Sequence, residues 1–145
     1  MREIKFRGKA KMPIADLDAE HFEHENGWVT GNLIQNNGRP WIVGNIVESD
    51  PEYIVQEFWV RVHPESVGQF TGLKDMNGEG IYEGDIFEYG GRKYVVKFDK
   101  ERAGFYPFAK GDGCGCCEDE VVRVLDDCEI IGNIFENPEL LEEAN

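Results

Sequence analysis

Four cysteines, Cys114, Cys116, Cys117 and Cys128, are the side chains of this 145-residue sequence best suited to holding a metal. Structural zinc sites built from cysteine pairs usually space them C-x(2 to 4)-C, so that two thiolates converge from one knuckle. Here the order is C-x-C-C, ten residues, then C. Adjacent Cys116 and Cys117 point apart on an extended chain, although Gly111, Gly113 and Gly115 permit other geometries. Reduced thiols, in a loop and on a strand, are the expected state. The four cysteines stand only as weak metal candidates, and no cofactor is expected.

Other reactive types are placed less suggestively. His21 and His24 are three apart, a spacing that shares one face of a helix, but no third ligand is specified and H-E-x-x-H is absent. A solvated acidic loop accounts for them. Asp75-Met76-Asn77-Gly78-Glu79-Gly80 imitates the first half of a calcium loop, yet position 12, which needs a bidentate glutamate, falls on Ile86. A hairpin turn explains the same residues, with Asn77-Gly78 suited to a two-residue type I′ reversal. Ser49 and Ser66 are the only serines, and neither lies in G-x-S-x-G. No phosphate-cradling glycine loop occurs, and paired carboxylates discriminate nothing in so acidic a chain. No catalytic residue is therefore assigned.

The elements that would position these groups read as strands. β-Branched and aromatic residues recur at short spacing and are cut by glycine. Strands are predicted near Glu3–Arg7, Trp28–Ile34, Trp41–Val47, Tyr53–Val62, Asp85–Tyr89, Arg92–Phe98, Phe105–Phe108, Val121–Leu125 and Glu129–Ile134. With Gly90-Gly91 as a two-residue loop, Tyr89 faces Arg92, Glu88 faces Lys93, Phe87 faces Tyr94 and Ile86 faces Val95. Asp16–Asn26 reads as one or two exposed helical turns or a loop, and Lys110–Glu118 as a mobile loop. Asn137-Pro138 opens a short acidic helix docked by Leu140 and Leu141. Phe58-Trp59-Val60 and Tyr94-Val95-Val96 are apolar on both faces, which predicts cover by a second sheet or another subunit.

Charge narrows the partners. Fifteen Lys and Arg face twenty-nine Asp and Glu, for a net charge of −14. Residues 1–12 carry five bases and one acid, whereas residues 118–145 carry ten acids against Arg123 alone. Polyanion binding needs a basic face, so neither direct nucleic-acid binding nor attachment to an anionic membrane is expected. With no run of about 18 apolar residues and no apolar stretch at the start, the chain is expected in the cytosol.

Several segments together carry a family resemblance. They are Met1-Arg2-Glu3-Ile4-Lys5-Phe6-Arg7-Gly8, Gly27-Trp28-Val29-Thr30-Gly31-Asn32-Leu33-Ile34, Val67-Gly68-Gln69-Phe70-Thr71-Gly72-Leu73-Lys74-Asp75, Gly78 with Ile81-Tyr82-Glu83-Gly84-Asp85-Ile86, and Ile130-Ile131-Gly132-Asn133-Ile134-Phe135-Glu136-Asn137-Pro138-Glu139-Leu140. In order and spacing they resemble the YopX family of phage and prophage proteins. The resemblance implies a mainly β fold with an SH3-like small barrel over about 67–134, and it brings no activity to transfer. The chain departs from the family's usual pattern at Ala15–Asn26 and at Gly111–Cys117. The expected organisation is one unit with a β-rich part at 1–63, the barrel at 66–134 and a short helical acidic tail at 135–145.

The function expected from all this is that of a non-catalytic accessory protein that binds other proteins and forms a homo-oligomer. An acidic mimic of DNA acting on a host DNA-binding protein, and a metal protein built on the cysteine cluster, are the alternatives.

Overall fold

A computed structural model describes residues 3–101, 103–106 and 128–142 of the chain. The chain divides into two compact units, Met1–Gln69 and Phe70–Asn145.

In the first unit, strands β1 (Phe6–Lys9), β2 (Trp28–Asn36), β3 (Arg39–Val43) and β6 (Trp59–Arg61) form an antiparallel sheet in the order β6-β3-β2-β1. The first two residues of β7 (Gly68–Lys74) lie along the other side of β1, with Arg7 opposite Gly68 and Phe6 opposite Gln69. Side chains alternate across a strand, so one face buries Val29, Ile42 and Val60 together with Ala10, Phe58 and Val62. Helix α1 (Ile14–Ala19) covers that face through Leu17, which is fully buried. Burying one such leucine contributes on the order of 1.5–3 kcal/mol. Phe22 follows it, its ring 5.7 Å from that of Phe58. The acidic Asp16–Asn26 segment is thus anchored by two apolar residues rather than exposed throughout.

Strands β4 (Ile46–Ser49) and β5 (Ile54–Gln56) form a separate two-stranded hairpin. The long strands expected at Trp41–Val47 and Tyr53–Val62 are each split, β3 from β4 and β5 from β6. The break falls at Gly44, where an added Cβ would come within 2.8 Å of the Phe58 ring. That close approach, which only glycine permits, was not visible as a break in the apolar pattern.

In the second unit, the rest of β7 pairs with β8 (Gly80–Tyr82) across the reversal expected at Asn77-Gly78, although neither was predicted as a strand because Gly72 interrupts the alternation. Strand β9 (Asp85–Tyr89) is the centre of a three-stranded sheet, between β10 (Arg92–Val95) and β13 (Glu129–Asn133). Strands β11 (Lys97–Asp99) and β12 (Gly104–Tyr106) form a second pair. The β9–β10 hairpin has the predicted register, Tyr89–Arg92 through Ile86–Val95. Gly90 and Gly91 take φ of 59° and 80°, as a type I′ loop needs. The opposed rings of Phe87 and Tyr94 stack 5.2 Å apart. Ile81, Phe87, Val96 and Cys128 form the core of this unit.

Three expectations need correction. The described sheets of the 67–134 region are open, and none closes into an SH3-like barrel; the strand expected at Val121–Leu125 lies outside the described residues. The turn at Asn77-Gly78 has three loop residues, not two: Asp75 N–H donates to Glu79 C=O at 2.9 Å, and only Gly78 of the three has positive φ. Finally, Asn137 does not cap helix α2 (Glu139–Glu142) with its side chain. Its Oδ1 accepts from the Asn133 N–H at 3.3 Å, and Lys93 Nζ reaches the Leu140 carbonyl at 3.1 Å instead. Among the described residues, no helix is long and apolar enough to cross a membrane.

Candidate interaction face

The four strands β1, β2, β3 and β6 contain no Asp or Glu, although the chain has 29 of them. Their register decides which side chains share the face opposite the core. Lys9 stands beside Trp28, and Arg7 beside Thr30. Asn32, Ile34 and Asn36 stand beside Val43, Trp41 and Arg39. Trp59 and Arg61 then pair with Val43 and Trp41. All three tryptophans of the chain therefore lie on one sheet face, interspersed with Arg7, Lys9, Arg39 and Arg61.

The two ends of this face differ. At β1 the cations are used internally: the Arg7 guanidinium lies 4.9 Å and Lys9 Nζ 5.8 Å from the Trp28 ring, contacts each contributing about 0.5–1 kcal/mol at an exposed site. At the β3–β6 end the aromatics are open. Ile34, Trp41, Val43 and Trp59 line an apolar groove of about 280 Å³, with the amides of Asn36 and Gln56 at its rim. Val43 is its buried floor, while Trp59 is 60% exposed on the edge strand. Neither Arg39 nor Arg61 has an ion-pair partner among the described residues, and Arg61 Nε is buried without an acceptor.

The groove adjoins the β4–β5 hairpin. Gly44 N–H donates to Phe58 C=O at 2.9 Å and Glu57 N–H to Asn45 C=O at 2.8 Å, so the β3–β6 ladder runs on into the pair Ile46–Gln56. The hairpin is an arm with apolar side chains in water: Ile46, Val47, Tyr53 and Ile54 are each about half exposed or more. Its tip is acidic. Asp50 Oδ1 accepts from the N–H groups of Glu52 (2.7 Å) and Tyr53 (3.2 Å), and the Tyr53 hydroxyl donates to Glu48 at 2.9 Å. That bond to Glu48 pushes the phenol's pKa above its ordinary value.

Residues 5–142, spanning parts of both units, fit the profile of one protein family. The chain belongs to the YopX protein family. Among solved structures it is similar to the crystal structure of protein EF1440 from Enterococcus faecalis, at 22% identity over 97% of this chain and 99% of that one, with a TM-score of 0.47. No curated protein matches it.

The residues singled out from the sequence are scattered. Cys114, Cys116 and Cys117, with the rest of Lys110–Glu118, lie outside the described residues. Cys128 is fully buried in the second core, and its thiol is pushed up to about 11, first by burial and then by the carboxylates of Asp75 and Asp85. At neutral pH such a thiol carries its proton. His21 and His24 do not share a helix face. Helix α1 ends at Ala19, His21 takes φ of 60°, and His24 binds Asp18 at 2.7 Å while accepting from Gly27 N–H at 3.0 Å. Ser66 Oγ accepts from Lys9 N–H at 2.8 Å and donates to the His63 carbonyl at 2.6 Å, which is structural work. Asp75 spends its carboxylate on three backbone amides: Asn77 and Glu79 at 2.9 Å and Ile130 at 3.0 Å. Among the described residues, no three His, Cys, Asp or Glu are grouped as a metal site.

What sequence reasoning missed is the shared face. The signal was present as alternation in Arg7-x-Lys9, Arg39-x-Trp41-x-Val43 and Trp59-x-Arg61. Composition averaged over the chain concealed it.

Proposed function

We propose that the protein is a non-catalytic accessory protein of phage or prophage origin that works in the host cytosol by binding proteins, its own copies among them, through the tryptophan face of its first unit. One observation carries this reading: an open apolar groove holding Trp41 and Trp59 shares its sheet face with Arg39 and Arg61, which have no ion-pair partner among the described residues, on a chain of net charge −14. Aromatic and arginine side chains around an apolar centre are the composition of binding hot spots. A mimic of DNA would instead present an acidic array.

Light scattering on the purified chain checks this. Wild type is expected above the 16.5 kDa of one copy at micromolar concentration. Trp59→Ser, at an exposed position, is expected to shift it toward one copy, as truncating a hot spot costs about 2 kcal/mol or more. A wild-type chain that remains a single copy up to millimolar concentration removes the self-association.

A further inference from the structure

We infer, building on the interaction-module reading, that the occupant of the Trp41–Trp59 groove is the β4–β5 arm of a second copy of this chain. An isolated two-stranded hairpin is marginally stable in water, and this one presents Ile46, Val47, Tyr53 and Ile54 to solvent. Covering it against another apolar surface relieves both. The groove next to it is the matching surface: apolar, with Arg39 and Arg61 beside Asn36 and Trp41 on the same sheet face.

Charge selects the pairing. The arm carries Glu48, Asp50 and Glu52, and no Lys or Arg occurs between Ile46 and Gln56. The face carries Arg39 and Arg61, both without ion-pair partners among the described residues. Two copies meeting arm to arm would oppose like charges, as would two copies meeting face to face. Arm to face satisfies both. Because the arm grows from the same two strands that line the groove, an exchange between two copies around a two-fold axis forms two equivalent contacts at once. Each copy donates an arm and receives one.

Complementation between purified full-length variants tests this. An arm variant carries Glu48→Lys and Glu52→Lys; a face variant carries Arg39→Glu and Arg61→Glu. Glu48, Glu52 and Arg39 are exposed and Arg61 is half-buried, and circular dichroism establishes that each variant folds. Each alone is expected to lose self-association at least tenfold in sedimentation velocity, and a 1:1 mixture is expected to recover it, with a tagged arm variant retaining the untagged face variant. Wild type that associates while the mixture fails to recover overturns the arm-to-face contact and leaves self-association standing. Association that survives the arm substitutions but not those of the face assigns the groove to another part of the second copy, and overturns the proposal too. Wild type that stays a single copy overturns both readings. If, in addition, oligo-dT quenches the tryptophans of wild type but not of the face variant, the face belongs to single-stranded nucleic acid.

Discussion

Asp75 shows how one carboxylate can hold a local turn and a distant strand together. Its two oxygens take N–H groups from Asn77, Glu79 and Ile130, the last 55 residues away, with the side chain only 7% exposed. Asp75→Asn keeps the shape but turns an NH2 group toward backbone donors. A buried donor left unsatisfied costs about 1–3 kcal/mol, so the midpoint of urea unfolding is expected to fall accordingly. Cys128, nearby in the same unit, gives a pH signature. Its native thiol has a pKa of about 11, above the ordinary thiol value. A group whose pKa is raised by folding stabilises the native state below its unfolded pKa and ceases to do so as pH rises through its folded one. Stability is therefore expected to decline from about pH 9 to pH 11, and the difference curve against Cys128→Ala isolates the thiol's share. These roles were hidden in the sequence, where Asp75 read as part of a hairpin turn imitating half a calcium loop and Cys128 as the last of a cluster. Nothing in spacing told that a carboxylate's partners would be amides, or that the fourth cysteine would be enclosed by Ile81, Phe87 and Val96.

Among the elements, the β9–β10 hairpin was fully legible. Two glycines with free φ fix the loop length, loop length fixes register, and register then places Phe87 against Tyr94. Gly91→Ala forces a Cβ into φ of 80°, and a loss of about 1–2 kcal/mol is expected in thermal or denaturant unfolding. No atom lies within 4 Å of a Cβ there, so the loss isolates backbone strain from crowding. The β7–β8 hairpin was half legible: Asn77-Gly78 marked the reversal, but not its three-residue loop or the register shift between Phe70 and Lys74. The tryptophan face was half legible. Phe58-Trp59-Val60 announced two apolar faces, and the structure buries Phe58 and Val60 while leaving Trp59 open. Which face lacked cover depended on pairings with β3, a contact between residues far apart in sequence.

The whole molecule is strongly acidic but sorts its charge: four acid-free strands carry Arg7, Lys9, Arg39 and Arg61 on one face. Total charge therefore misled as a guide to local chemistry. Sorting has a consequence for association. Two copies of charge −14 repel over distances of about 30 Å in 0.01 M salt but only about 8 Å at 0.15 M. Attractive pairs at the groove rim act at a few ångströms and survive that screening far better. Self-association is accordingly expected to strengthen as salt is raised from about 0.01 to 0.15 M, which sedimentation at two ionic strengths measures.

The bond from Asp75 to Ile130 also sets an order on synthesis. The core residues of the first unit have all been synthesised once Val67 is added. The second must wait: among the described strands β9 has only β10 beside it until residues 129–133 emerge, and until then one oxygen of Asp75 lacks its final amide. A nascent chain paused before that point would thus carry a finished first half with its tryptophan groove already formed, beside a second half still short of its closing strand.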